Sequence, residues 1–342
     1  MNPILRVLLY RLGSAVLVLF GVSIVIFVIA RVIPGDPARI ALGANASAQQ
    51  VAALRAALYL DRPLPAQYAI FLGNLLHGDL GQSLYTNRPV IDDIAAFLPA
   101  TLELIFVAAL IMVLIGMPLG VLAAHWRGSP IDHAIRGAAV IAVSAPSFVW
   151  AVVFMLLFAY WLPWFPIAGQ LGQSTPAPPD LTGFVMLDSL LAGEWTTLGD
   201  ALYHVILPAA ALAMAGIGQT TRMMRSSLIE IYDRPFIEMA LAFGFTGRRI
   251  ATRWALRPAL IPTLTILGLD IAALLGNAFL VENVFAWPGL SRYGVQVILR
   301  KDLNAIIGTV LIIASAFIVM NIVVDLLANL LNPRIRLSEP RG

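Results

Sequence analysis

The sequence predicts an all-α polytopic membrane protein with six transmembrane helices and both termini on the cytoplasmic side. Three observations predict it. Apolar residues fill 60% of the 342 positions and charged ones 12%, too few ionisable side chains to cover a water-facing surface of this size. The apolar residues gather in continuous runs, each long enough as a helix to cross a hydrocarbon core of roughly 30 Å, rather than in the short alternating segments of an outer-membrane barrel. The arginines are shared unevenly between the loops that six spans put on opposite sides.

The first run, Leu12–Ala30, follows Arg6 and Arg11. That order also suits a secretory signal peptide, but the run is long for one and ends in Arg31-Val32-Ile33-Pro34 with no small-x-small cleavage pattern. Residues 1–30 are therefore read as an amino-terminal segment with an uncleaved span. Residues 31–103 form an external region, in which Ala46–Leu60 reads as an alanine-rich helix and Ile91–Phe97 as a short helix near the membrane surface, together a small outer cap. The membrane core, 104–336, opens with the uncharged runs Leu104–Ala124 and Gly137–Leu162. Pro163–Asp200 lies outside again; Pro166 through Pro179 mixes Gly, Pro, Ser and Gln, the acidic residues Asp180, Asp188, Glu194 and Asp200 follow, and the stretch reads as loop. Two further spans are Ala201–Thr221, interrupted by His204, and Pro258–Val281, interrupted by Asp270, since one polar group is tolerated where helices face each other. Leu303–Val324 is the sixth span, and 337–342 is a cytoplasmic tail.

Six spans put the two ends, Ala124–Arg136 and Arg222–Arg257 on one side of the membrane. That set carries fourteen of the 22 basic residues with five acids; the outer loops, counting Glu103 and Glu282 with them, carry eight basic and twelve acidic residues, and Asp270 and Asp325 are left to the spans. Lys and Arg near span ends resist translocation, so the arginine-rich side is cytoplasmic. The chain has no cysteine, which rules out disulfide stapling without identifying a compartment. It shows no strong internal repeat.

The inner segment 222–257 holds seven arginines against Glu230, Asp233 and Glu238. Asp233 and Pro235 suit the start of a short helix through Phe236, Ile237, Met239, Ala240 and Ala242, and Gly244 ends it by taking a left-handed conformation. Thr246 is expected to cap a second helix that rests along the membrane interface, with Ile250 and Trp254 on one face and Arg248, Arg249 and Arg253 in water, until Pro258 turns the chain into the next span. A short helix bounded by small residues beneath a bundle has the shape to press into a groove on a cytoplasmic partner. Basic inner loops also arise from topology alone, and composition does not separate the two readings.

Residue order does. Glu238-Met239-Ala240 with Gly244 resembles the Glu-Ala-Ala-x-x-x-Gly signature of permease subunits in ATP-binding-cassette importers. Blocks along the chain resemble the peptide and nickel uptake branch: Tyr10-Arg11-Leu12, Pro34-Gly35-Asp36-Pro37, Leu60-Asp61-Arg62-Pro63-Leu64 with Gln67-Tyr68, Gly78-Asp79-Leu80-Gly81-x-Ser83, Pro99-Ala100-Thr101-Leu102-Glu103-Leu104 and Pro118-Leu119-Gly120. They continue with Ser144-x-Pro146-x-Phe148, Leu207-Pro208-Ala209, Val281-Glu282-Asn283-Val284-Phe285, Pro288-Gly289-Leu290 and Asn332-Pro333-Arg334-Ile335-Arg336. The resemblance runs from Tyr10 to Arg336. It implies a bacterial inner-membrane permease that pairs with a second, related permease, sits on two cytoplasmic ATPases that bind ATP and Mg2+, and receives cargo from an external binding protein. It also implies that Pro235, Glu238, Met239, Ala240, Ala242, Phe243 and Gly244 form the element coupling it to an ATPase. Met239 stands where the signature commonly has Ala, Phe243 where this branch often has Lys, and Pro258 where it often has Asn.

The chain has no phosphate-binding loop of its own, so it is not expected to bind ATP or act as an enzyme. His77, His125, His133 and His204 lack close acidic or Cys spacing, so no metal or cofactor is assigned, and the expected contacts beyond the protein partners are membrane lipids, not nucleic acid. Glu103 is expected at a span's outer end in reach of water. Asp270 lies mid-span between Thr265, Gly268 and Asn277, where a charge needs a partner or a wet cavity; Asp270 and Asn277 are candidates for an interhelical polar network or for the pathway. Asp325 reads as an anchor near the inner end of the last span. Broad resemblance without a histidine cluster favours peptide over nickel as cargo, and a non-transport scaffold recruiting a cytoplasmic partner is the alternative of another class.

Overall fold

The computed structural model describes residues 3–32, 36–43 and 45–331. The tail 337–342, the block 332–336 and Pro34-Gly35 lie outside the described residues. Every regular element among them is a helix, apart from an isolated antiparallel bridge between Gln82 and Pro89.

The apolar run after Arg11 lies in α1 (Pro3–Val32). Three short helices follow: α2 (Pro37–Leu42), α3 (Ala48–Ala57) and α4 (Leu64–Leu76). Local chemistry sets their starts. The Asp36 side chain accepts from the Ala38 N–H, and Ser47 and Gln50 close a capping box at α3. The cap packs on the membrane helices through Tyr68 and Phe71 of α4 against Phe27 of α1, and Tyr68 shares a 2.9 Å hydrogen bond with Ser23.

The second span is one helix, α5 (Val90–His125), with a wider π-helical turn at Met112–Gly116. Ile91–Phe97, expected as a separate surface helix, is its amino-terminal end, so the expected boundary at 103/104 falls inside α5. Pro99, which lies between the two segments, does not stop the helix and is accommodated within it. The third run, expected as a single span, is two helices, α6 (Pro130–Ser144) and α7 (Ser147–Trp161), bent by 105° at Ala145–Pro146. The residue before a proline is pushed out of the helical region, and Ala145 is extended at φ −110 and ψ 140. At this elbow the Trp150 indole N–H donates to the otherwise orphaned Ala142 carbonyl at 3.2 Å.

The segment 163–194, expected as loop, is not wholly irregular, since it contains α8 (Val185–Ala192). Asp188 is buried there and accepts from Thr182 N at 2.9 Å, Thr182 Oγ1 at 2.6 Å and Gly183 N at 3.1 Å, which makes this acid an internal clamp rather than part of a solvated patch. The long α9 (Trp195–Tyr232) is the hub of the bundle. Gly120 of α5 allows its close approach: a β-carbon at Gly120 would lie 2.7 Å from the Thr221 carbonyl oxygen, and Thr221 Oγ1 donates to the Gly116 carbonyl at 3.1 Å.

After α10 (Pro235–Ala242), a single turn at Gly247–Arg249 runs directly into α11 (Ile250–Val284). The helix expected to begin after Thr246 is therefore present but continuous with the span, and the expected turn at Pro258 is absent. The π-helical turn Ile250–Ala255 re-spaces the ladder just before Pro258, so its missing N–H is tolerated, while Ile250 is buried and Trp254 exposed. Two helices complete the described residues, α12 (Leu290–Leu299) and α13 (Leu303–Leu331). Five helices, α1, α5, α9, α11 and α13, are long and apolar enough to span a membrane, and α6 with α7 makes a sixth if the pair is one span.

Candidate coupling helix and intramembrane polar positions

The segment 233–249 joins the carboxy-terminal end of α9 to the amino-terminal end of α11. Pro235 supplies the preset backbone of a first helical position, and α10 then runs for eight residues. Its end is a full Schellman motif: Gly244 N donates to the Leu241 carbonyl at 2.9 Å, Phe245 N to the Ala240 carbonyl at 3.2 Å, and Gly244 sits at φ +78. Phe245 and Ala240 share one apolar cluster, as that motif requires.

Two faces of α10 differ sharply. Ile237 and Ala240 are 3% and 4% exposed, packed with Ala124 of α5, Met224 and Leu228 of α9, and Ile250, Ala255 and Ala259 of α11. Met239 and Phe243 are 58% and 76% exposed, and Phe236, Leu241, Ala242, Glu238 and Gly244 are exposed too. Ala240 is small because it packs inward, while on the exposed side Ala242 and Gly244 keep the surface low. A β-carbon on Gly244 meets nothing within 4 Å.

Charge fixes the surroundings. Arg234 pairs with Glu230 one turn away, Arg127 reaches Asp233 at 3.4 Å, and Arg249 lies over the Phe245 ring at 5.1 Å. These exposed contacts are each worth at most about 1 kcal/mol. Stronger is the fork from Arg225 Nε and Nη2 to the two oxygens of buried Asp132, at 2.6 and 2.7 Å, which ties the turn between α5 and α6 to α9.

Within the spans, Asp270 and Asn277 share one face of α11, seven residues apart. Asp270 is half-buried, and its Oδ2 has no hydrogen-bond partner among the described residues. Asn277 is exposed and lines a cleft of about 460 Å³ beside the α6–α7 elbow. Glu103, expected in reach of water, is buried instead: Met186 N and Gln170 Nε2 donate to it, each at 2.7 Å. Among the described residues no group of three or more His, Cys, Asp or Glu is placed to hold a metal ion.

Residues 116–337 match the family described as "Binding-protein-dependent transport system inner membrane component", and residues 4–105 match its amino-terminal counterpart. The chain belongs to this family. Similar members include a probable D,D-dipeptide transport system permease protein, DdpB, of Escherichia coli K12, 41% identical over 96% of this chain and 97% of that one. A di/tripeptide transport system permease protein, DppB, of Pseudomonas aeruginosa UCBPP-PA14 is 38% identical over 95% and 97%, and the E. coli K12 dipeptide permease DppB 37% identical over 97% and 99%. The fold resembles a chain of the MetNI methionine ABC transporter in inward-facing conformations, with a TM-score of 0.50 and 20% identity over 68% of this chain and 93% of that one.

In this member of the family, residues from separate sequence blocks meet where α5, α11 and α12 adjoin. Thr101 Oγ1 donates to Glu282 Oε1 at 2.6 Å and accepts from Leu290 N at 2.8 Å, Trp287 Nε1 donates to the Ala100 carbonyl at 2.9 Å, and Arg292 N donates to Glu282 Oε2 at 2.9 Å. Ser83 donates to Asp302 at 2.7 Å, and Tyr293 to Asp93 at 2.9 Å. Burial pushes the Tyr293 hydroxyl above its ordinary range, and the nearby Asp93 and Asp302 carboxylates push the same way, so it keeps the proton it donates. Reasoning from sequence missed the role of Glu282. The available signal was an acid in a chain poor in charge, followed within a few residues by Trp287 and Pro288-Gly289.

Proposed function

We propose that this chain is one of two permease subunits of an ATP-driven importer of short peptides, built as six spans with both termini in the cytoplasm and embedded in a bacterial inner membrane. The observation that carries it is α10. A helix clamped on one side by the inner ends of three membrane helices, with Phe236, Met239, Leu241 and Phe243 exposed on the other, has the form of an insert for a groove. The groove belongs to one of two cytoplasmic ATPases, which bind ATP and Mg2+ and carry out the hydrolysis; Pro235, Glu238, Met239, Ala240, Ala242, Phe243 and Gly244 carry the coupling. Closure of the ATPases moves α10, and because α10 is packed on α5, α9 and α11 it moves those helices with it. The family's dependence on a binding protein supplies the external partner that delivers cargo. Cargo class follows from the relatives, whose names specify dipeptides, di/tripeptides and D,D-dipeptides. Asp270 and Asn277 face the pathway between this permease and its partner.

The test is reconstitution of both permeases and both ATPases in proteoliposomes, with and without the binding protein, and measurement of ATP turnover against dipeptides and nickel in parallel. Dipeptide-dependent stimulation that requires the binding protein is expected. Stimulation by nickel without stimulation by peptide would replace the cargo, and failure of the ATPases to associate at all would return the chain to a scaffold role.

A further inference from the structure

The cleft beside the elbow has features that general packing does not require. Its lining includes Pro146, Ser147 and Phe148 from the elbow, Asn277 from α11, Ser291 from α12 and Ile313 from α13. At about 460 Å³ it falls in the size range of small-molecule sites. Its polar groups are neutral hydroxyls and an amide, set in apolar walls. The Ser147 hydroxyl only weakly engages the Asn277 carbonyl, at 3.4 Å. Ser291 is 1% exposed, yet its hydroxyl has no hydrogen-bond partner among the described residues. A buried hydroxyl left unpaired is disfavoured, so the site gains when an incoming polar atom pairs with it.

Asp270 adds the charged end. It lies on the same face of α11 as Asn277, two turns nearer the inner end of the helix, which is roughly 10 Å along the axis. One of its carboxylate oxygens is buried without a hydrogen bond from any described residue. In a low-dielectric span such a carboxyl either keeps its proton or pairs with a cation, and an incoming ammonium supplies the second. A neutral, hydrogen-bonding cleft with an unpaired carboxylate roughly 10 Å away matches a short extended peptide, at 3.3–3.6 Å per residue, with its α-ammonium at one end.

We propose that this cleft is a transient cargo subsite within the membrane, in which the backbone of a di- or tripeptide lies among Ser147, Asn277 and Ser291 while its α-ammonium is drawn to Asp270. The proposal rests on the peptide-importer reading. Backbone amides both donate and accept, as the serines and asparagine require. The Pro146, Phe148 and Ile313 walls take side chains of different kinds without selecting strongly among them, which suits a pathway whose specificity is set upstream.

The experiment uses the complete importer with its binding protein and a dipeptide carrying a photoreactive diazirine on one side chain. Dipeptide-stimulated ATP turnover in the unmodified complex is the first measurement; its absence removes the peptide reading and this proposal together. With turnover established, irradiation during cycling is expected to label residues 146–148 and 275–280, and excess unlabelled dipeptide should compete. Asp270→Asn should lower that labelling roughly tenfold, the scale of losing one charge-assisted contact, and Asp270→Glu should restore most of it. Ser291→Ala provides a second, milder loss if the Asp270 variants fail to assemble. Normal turnover with labelling only elsewhere, or equal labelling in assembled Asp270→Asn complex, overturns the subsite while leaving the importer reading intact. A cysteine at Asn277 that cross-links to the second permease in every state would assign the cleft to a permanent interface instead.

Discussion

Gly244 shows how one residue separates a helix stop from a docking surface. Its φ of +78 makes any β-carbon cost about 1–2 kcal/mol, yet the space outside it is open, so the chain alone imposes no further penalty. Gly244→Ala should therefore lose little, whereas Gly244→Glu should keep membrane insertion and pairing with the second permease but lose ATPase co-purification and uptake. Normal docking and normal substrate-stimulated turnover in Gly244→Glu would defeat the assignment of α10. The Asp132–Arg225 fork makes a contrasting, purely structural prediction. Asp132→Asn leaves a mostly buried guanidinium without its charge partner, a loss of about 3 kcal/mol at the low end for one-sided removal from a buried pair. A lower thermal midpoint in detergent is expected, partly recovered when Arg225→Met is added. Residue roles were legible in the sequence where backbone geometry dictates them, as at Gly244 and Pro235. Burial of Glu103 was not legible, because its donors, Gln170 and Met186 N, lie far along the chain.

At the scale of elements, continuous apolar runs made the spans readable, while breaks and short helices escaped. Runs report only that a segment is apolar, and Gly137–Leu162 stays apolar straight through the elbow. The proline marks a departure from the helical region but not the angle, which depends on α7 packing against α9 and α11 and on the Trp150 bond. Helices α4, α8 and α12 escaped because each is short and held by tertiary contacts rather than by a long pattern; α8, for example, is fixed by the Asp188 clamp. The elbow gives a testable consequence. Unbroken, the α6–α7 pair would be roughly 45 Å long, and a 105° bend brings its ends much closer. Spin labels on cysteines at His133 and Tyr160 should report the shorter distance in the native chain. In Pro146→Ala with Trp150→Phe the distribution should broaden toward the longer one, with reduced uptake. An unchanged distance would mean that neighbouring helices alone set the bend.

For the whole molecule, the elbow decides more than local shape, because it sets the parity of the chain. If α6 and α7 together cross the membrane there are six spans, and 233–249 returns to the side of the amino terminus. If the pair dips in and returns there are five spans, and the same segment with α10 lies outside, where no ATP-driven partner can reach it. Charge separates the two. The five-span arrangement moves the seven arginines of 222–257 to the translocated side, against the resistance of basic residues near span ends to crossing. It also leaves the Arg127–Asp233 pair and the Asp132–Arg225 fork to be made across the bilayer. The two pairs join the turn between α5 and α6 and the first turn of α6 to the last two turns of α9 and the residue after it. Contacts this short favour an arrangement with that turn and that end at one membrane face, which is the arrangement the six-span reading proposes. Absence of cysteine makes the test direct. Single cysteines at Ala52, in the outer cap, and at Gly247, exposed between α10 and α11, should lie on opposite sides. An impermeant maleimide should label the first in intact cells and the second only after permeabilisation. Labelling of both in sealed cells would establish the five-span parity and put α10 on the wrong side for coupling.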